Sequence, residues 1–251
     1  MAVNHTNPAT AADLSRETFG LELEFFGMTR RAAAEVVATF FGSTTRHRGG
    51  VYDKYEVEDP AGRRWTVVFD SSINDAPDFF GEECELNSPV LGWDDLGTVC
   101  QLIEALQAAG AKTNGAFCGV HVHIGDEAHT PASLRNLVNL VNANEDLLTL
   151  ALGITPERRN RWCRPVDPHF LRQLNTQRPT SRAALARLWY MCVEDEVCFT
   201  GSFRITVQTT SYGALPPEDI LQVAQGLMTA AQLAKAMSAE IQLAGYRVIG
   251  D

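Results

Sequence analysis

Strict alternation of apolar and polar positions recurs along this chain and predicts strands. In Phe19-Gly20-Leu21-Glu22-Leu23-Glu24-Phe25, the apolar Phe19, Leu21, Leu23 and Phe25 share one face and Glu22 and Glu24 the other, the period-2 signature of a half-buried strand. Val51 to Val57 and Arg63 to Phe69 flank Asp59-Pro60-Ala61-Gly62, which predicts a β-hairpin ending in Asp70-Ser71-Ser72. A short run stopping at Ser88-Pro89 offers Glu83 and Glu85 on one side, Cys84 and Leu86 on the other. Cys118 to Ile124 turns Cys118, Val120, Val122 and Ile124 one way and His121 and His123 the opposite way. Finally, Ser202 to Gln208 sets Phe203, Ile205 and Val207 against a core, with Ser202, Arg204, Thr206 and Gln208 facing outward.

Helical periodicity fills the intervals. Thr29 caps a stretch to Phe41 that closes at Gly42, and Asp94 to Ala109 carries Leu96, Val99, Leu102, Ile103 and Leu106 at helical spacing before Gly110. Thr130-Pro131 is a cap followed by an N1 proline and starts a helix running to Leu152. Thr155-Pro156-Glu157 starts a shorter one, and Pro217 to Ala244 reads as a long Ala/Leu/Gln-rich helix. Strands spaced by helices, yet each alternating cleanly, favour an α+β fold: an open, largely antiparallel sheet with helices packed on one face and a polar face left open. Residues 1–16 read as a disordered lead-in, and 17–251 as one domain without an internal linker or repeat.

Composition narrows the function classes. The 251 residues carry a formal charge of −10, so no global electrostatic case exists for nucleic acid or an anionic membrane. No apolar run approaches the ~20 residues that span a bilayer. Six scattered cysteines without a CxxC pair look like reduced, buried small hydrophobes, which implies a cytoplasmic location. Neither GxxxxGK[ST] nor GxGxxG occurs, removing two common nucleotide motifs but not nucleotides themselves.

The polar face carries the candidate chemistry. Glu22 and Glu24, two apart on one strand, lie roughly 6–7 Å apart at Cα and repel unless they share a cation or face open water. Hard oxygen ligands of this kind suit Mg²⁺ or Mn²⁺ better than zinc. Glu83 and Glu85 repeat the arrangement, and His121 and His123 put two imidazoles on one face. A zinc hydrolase built on that His-x-His is an alternative, although Cys118 has the wrong parity to join it. Arg158, Arg159, Arg161 and Arg164 cluster after a helix start, interleaved with Trp162, Cys163 and Pro165. A solvated basic turn would look the same, but an arginine packed down there could hold phosphate in defined geometry.

Taken together, these motifs resemble the amidoligase family of the glutamine-synthetase-like carboxylate–amine ligases. The resemblance rests on Phe19-Gly20-Leu21-Glu22-Leu23-Glu24, Trp65 with Asp70-Ser71-Ser72-Ile73, Glu85-Leu86-Asn87-Ser88-Pro89, and Cys118-Gly119-Val120-His121-Val122-His123, in that order. It implies a glutamine-synthetase catalytic-domain-like sheet whose polar face binds Mg·ATP, with carboxylate phosphorylation followed by amine attack to form an amide. By the same resemblance Glu24 and Glu85 ligate one ion, with Glu83 as helper, and Glu22 and His121 ligate a second beside the ATP phosphates. His123 joins them in binding nucleotide, Arg204 faces the γ-phosphate, Arg164 or Arg161 forms a second clamp, and Asp70 and Ser72 seat the acceptor or the amine. One departure stands out: where the family has glutamate before its Phe-Arg, this chain has Ser202. A neutral hydroxyl is a poor Mg²⁺ ligand, so a non-catalytic nucleotide- or peptide-binding protein is the alternative. Substrates are small-molecule or peptide carboxylates and amines; which ones, and the oligomeric state, are not legible.

Overall fold

The alternating run at the start becomes the middle of the molecule. In the computed structural model, which describes residues 18–73, 81–113, 118–124, 129–161 and 163–192, strand β1 (Phe19–Phe25) lies between two partners. A six-stranded sheet forms from β1, β2 (Thr45–Gly49), β3 (Lys54–Glu58), β4 (Arg64–Val68), β5 (Cys84–Asn87) and β6 (Val120–Ile124), in the order β2-β3-β4-β5-β1-β6. Every pairing in it is antiparallel.

One face of this sheet is apolar and covered. Helix α1 (Arg30–Phe41) starts where the Thr29 hydroxyl accepts the Ala32 N–H and stops at Gly42, whose φ of 64° lets the chain leave in a left-handed turn. It packs with α2 (Leu96–Ala108) over a core that includes Phe19, Val37, Trp65, Leu86 and Leu102, each 2% exposed or less. Removing side chains of this size from water contributes about 1.5–3 kcal/mol apiece. The β3–β4 turn is clamped to the start of α2 by charge. Asp59 accepts the N–H groups of Ala61 and Arg63, the Arg63 Nε and the Trp65 indole, while both Arg63 Nη atoms donate to Asp95 at 2.7 Å.

A second core lies further along the chain. Helices α3 (Pro131–Ala151), α4 (Pro156–Arg161), α5 (Pro168–Gln177) and α6 (Arg182–Cys192) follow β6. Leu134, Val138, Phe170, Leu174, Leu185 and Leu188 are buried together, with Trp189 edge-on to Phe170 at 4.9 Å. No helix among the described residues is long and apolar enough to cross a membrane.

Most expected elements appear, with four differences. The strand expected from Val51 begins only at Lys54, because Val51 and Tyr52 are exposed in a turn where Asp53 takes a φ of 42°. β2 was not expected, since Thr-Arg-His-Arg-Gly shows no apolar alternation; it is a charged edge strand. The strand expected from Cys118 starts at Val120, and Cys118 instead joins Phe26 and Ile73 in a small separate core. α5 and α6 arise where no element was expected, although Asp167-Pro168 is a cap with an N1 proline. The lead-in at 1–16, the strand at Ser202–Gln208 and the helix at Pro217–Ala244 lie outside the described residues.

Candidate metal centre

Register brings the polar side chains together. Across antiparallel pairs, directly opposite residues share a face. Glu22 stands opposite His121 on β6 and Asn87 on β5, and Glu24 stands opposite Glu85. Three strands thus deliver Glu22, Glu24, Glu85 and His121 to one patch of the open face. Asp70, just past the end of β4, joins them, its two oxygens fixed by the Ser72 N–H at 2.8 Å and the Ser72 hydroxyl at 2.9 Å.

Two groups of donors emerge, each with ligand atoms within 4.8 Å of one another: Glu22, Glu85 and His121, and Glu24, Asp70 and Glu85. Glu85 belongs to both. Its side chain accepts from Asn87 at 2.9 Å. Burial, then the charges of Glu22 and Asp70, push its carboxyl up to about 7. Glu24, 5% exposed, is likewise raised, chiefly by burial, although its Oε2 accepts the Gly119 N–H at 2.6 Å. Such crowding of buried carboxyls is unfavourable without a cation and favourable with one, and oxygen-rich donors with a single imidazole suit Mg²⁺ or Mn²⁺.

The histidine is held by Glu22. His121 Nδ1 lies 2.6 Å from Glu22 Oε2, and its Nε2 lies 3.5 Å from Glu24 Oε1. Burial alone would lower the His121 pKa, but Glu22, Glu24 and Glu85 outweigh it and raise it. The converse holds for Glu22, where the two neighbouring imidazoles overcome desolvation and drive its pKa far down. His123 Nε2 sits 2.8 Å from Glu22 Oε1. Among the described residues, the donor groups able to hold an ion contain His121 but not His123.

Three further expected residues are placed as follows. Glu83 precedes the first residue of β5, so the alternation does not carry it to the patch; its carboxylate accepts the Gly81 N–H and lies 3.9 Å from Arg30. Arg164 is exposed in the segment after α4. Arg161 ends α4. Among the described side chains, Arg158, 3% exposed, reaches the centre, and its charge acts on Glu24. A Cβ on Gly119 would fall 2.6 Å from Arg158 Nη2 and 3.4 Å from Glu24 Oε2, so the glycine is what lets guanidinium, backbone and carboxylate converge. Helix α4 thus contributes one side chain, Arg158, beside Glu24. The only advance signal for Arg158 was its membership of the arginine cluster. Arg204 and Ser202 lie outside the described residues.

Residues 15–202 match the model of a family described as "putative amidoligase enzyme". No curated protein and no solved structure matches the chain.

Proposed function

The chain belongs to the amidoligase family, and on that footing we propose that it is an ATP-dependent ligase joining a carboxylate to an amine. A substrate carboxylate oxygen attacks the γ-phosphorus of ATP, giving an acyl phosphate and ADP. The amine nitrogen then attacks the acyl carbon, the C–O electron pair leaves with phosphate, and the nitrogen loses a proton to yield the amide. The observation that carries this reading is the pair of three-donor groups sharing Glu85 on the open face of the sheet.

Divalent ions, one held by Glu22, Glu85 and His121 and a second by Glu24, Asp70 and Glu85, would draw negative charge off the phosphoryl oxygens. The protein's own part is positional. Glu22 takes His121 Nδ1 with one carboxylate oxygen and so turns its Nε2 towards Glu24, which fixes the imidazole beside the carboxylates. Ser72 holds the Asp70 carboxylate in place through its N–H and hydroxyl. Arg204 keeps the role of a guanidinium at the γ-phosphate. We read the antiparallel sheet as glutamine-synthetase-like, with the active site on its carboxylate face. The buried Cys84 thiol suits the reducing cytoplasm.

Hydroxylamine traps acyl phosphates, so the test needs no knowledge of the natural amine. Purified protein, Mg·ATP, hydroxylamine and a panel of carboxylates should give hydroxamate and ADP in equal amounts, and Glu22→Gln and Glu24→Gln should each abolish both. Hydroxamate from neither free nor peptide carboxylates, or full activity in both variants, would sink the proposal.

A further inference from the structure

The face that carries the metal centre continues, strand by strand, into a basic wing. Successive registers align Arg46, Glu56, Thr66, Asn87, Glu22 and His121 in one row across all six strands. At the far end Glu56, with its side chain 9% exposed, is ringed by cations: Arg48 Nε at 2.8 Å, Arg64 Nε at 3.5 Å and Lys54 Nζ at 3.7 Å. Arg46 stands directly opposite it. Even counting Glu58, which pairs with Arg64, four cations against two carboxylates leave an excess of two positive charges, on a chain whose formal charge is −10.

Protection of a sheet edge explains charges on β2 alone. It does not explain Lys54 and Arg64, which stand one and two strands inside that edge. Between the wing and the centre the floor of the row is uncharged, Thr66 and then Asn87. Beside it the exposed Val51 and Tyr52 are fixed by the Phe69 N–H donating to the Tyr52 carbonyl, one residue before Asp70.

We propose that this wing holds the carboxylate-rich part of an acidic peptide whose reacting carboxylate lies at the metal centre; this rests on the ligase reading above. Three strand spacings separate Glu56 from Glu22, about 14 Å. That span exceeds a single amino acid and fits an extended peptide. The apolar Val51–Tyr52 tip favours a peptide over a bare polyanion.

Fluorescence anisotropy of the full chain in Mg²⁺ and physiological salt, with a fluorescein-labelled glutamate-rich peptide and its glutamine counterpart, tests the wing. The acidic peptide should bind at least tenfold more tightly. The double variant Arg46→Glu/Arg64→Glu, confirmed folded by its melting curve, should lose at least tenfold of that affinity. Arg31→Glu, an exposed charge change on α1 behind the sheet, should leave it unchanged. Equal affinity for both peptides, equal loss in Arg31→Glu, or tighter binding of a single-stranded oligonucleotide would overturn the proposal. Wing-dependent peptide binding without hydroxamate formation would count against the ligase alone; hydroxamate formation with wing-independent binding would count against the wing alone.

Discussion

Arg158 occupies the space that a side chain on Gly119 would need, its Nη2 only 2.6 Å from where a Cβ would stand. With Arg158 buried at 3% exposure, the guanidinium has little room to retreat. Gly119→Ala should therefore displace Arg158 from Glu24 and cost about 1–3 kcal/mol, the usual cost of overpacking. Urea denaturation reads the stability, and ADP release should fall at least tenfold. Arg164→Gln, at an exposed position, should stay within twofold of wild type; the reverse ranking of these two variants would refute the assignment of Arg158.

On the proposed reading, Glu85 makes ion binding dependent on pH near neutrality. Its folded pKa of about 7 stands above the ordinary carboxyl value of 4.5, so without an ion stability falls as pH rises from about 4.5 through 7 and the carboxyl is forced to ionise in a buried site. A divalent ion needs the ionised form. Its affinity should weaken tenfold or more per pH unit below 7, and the ion-induced rise in Tm should be larger at pH 8 than at pH 6. Calorimetry in buffers of different ionisation enthalpy should show more than one proton released per ion at pH 6, because His121, whose pKa is also raised, must lose its proton to ligate. An affinity flat between pH 5.5 and 8 would contradict this.

Glu22→Gln removes the main support for a protonated His121. Burial, which opposes the charged imidazole, then gains weight, and the His121 pKa should drop relative to wild type. Imidazole resonances followed against pH by NMR give the answer directly. An unchanged midpoint would mean that Glu24 and Glu85, not Glu22, hold the charge.

The Asp59 clamp predicts acid sensitivity of a different origin. Desolvation opposes the Asp59 carboxylate, but its hydrogen bonds from Arg63 and Trp65 prevail and its pKa is depressed. The corresponding stabilisation is present above the ordinary value of 3.8 and is lost as pH falls below it through the folded pKa. Asp59→Asn should cost about 2–4 kcal/mol at pH 7 by leaving Arg63 half-paired and the turn short of an acceptor. The gap between variant and wild type in urea titrations should narrow towards pH 3.

Parity along a strand was legible in advance; neighbours across strands were not. Glu22 and Glu24 had to share a face because Leu21 and Leu23 share the other. That Glu22 meets His121, 99 residues away, depends on strand order, which alternation does not encode. Glu83 lies one residue before the start of β5, where alternation says nothing of its contacts with Gly81 and Arg30. The four arginines after Thr155 could not be ranked by composition. Which of them turns inward depends on α4, whose six residues are too few to show a helical period. β2 went unseen because a charged edge strand lacks the apolar face by which strands are recognised.

The sheet order carries a cost in time. β1 is the first strand among the described residues, yet it lies between β5 and β6, and its pairing with β6 spans roughly a hundred residues. Non-local pairing of this kind slows folding, and domains emerge from the ribosome at about 5–20 residues per second. For several seconds after synthesis the Phe-Gly-Leu-Glu-Leu-Glu-Phe strand has no β6 to pair with, and Glu22 and Glu24 have no His121. The ion site cannot nucleate this fold; it can only reward its completion. A chaperone that shields the first twenty-five residues would act on the segment that waits longest.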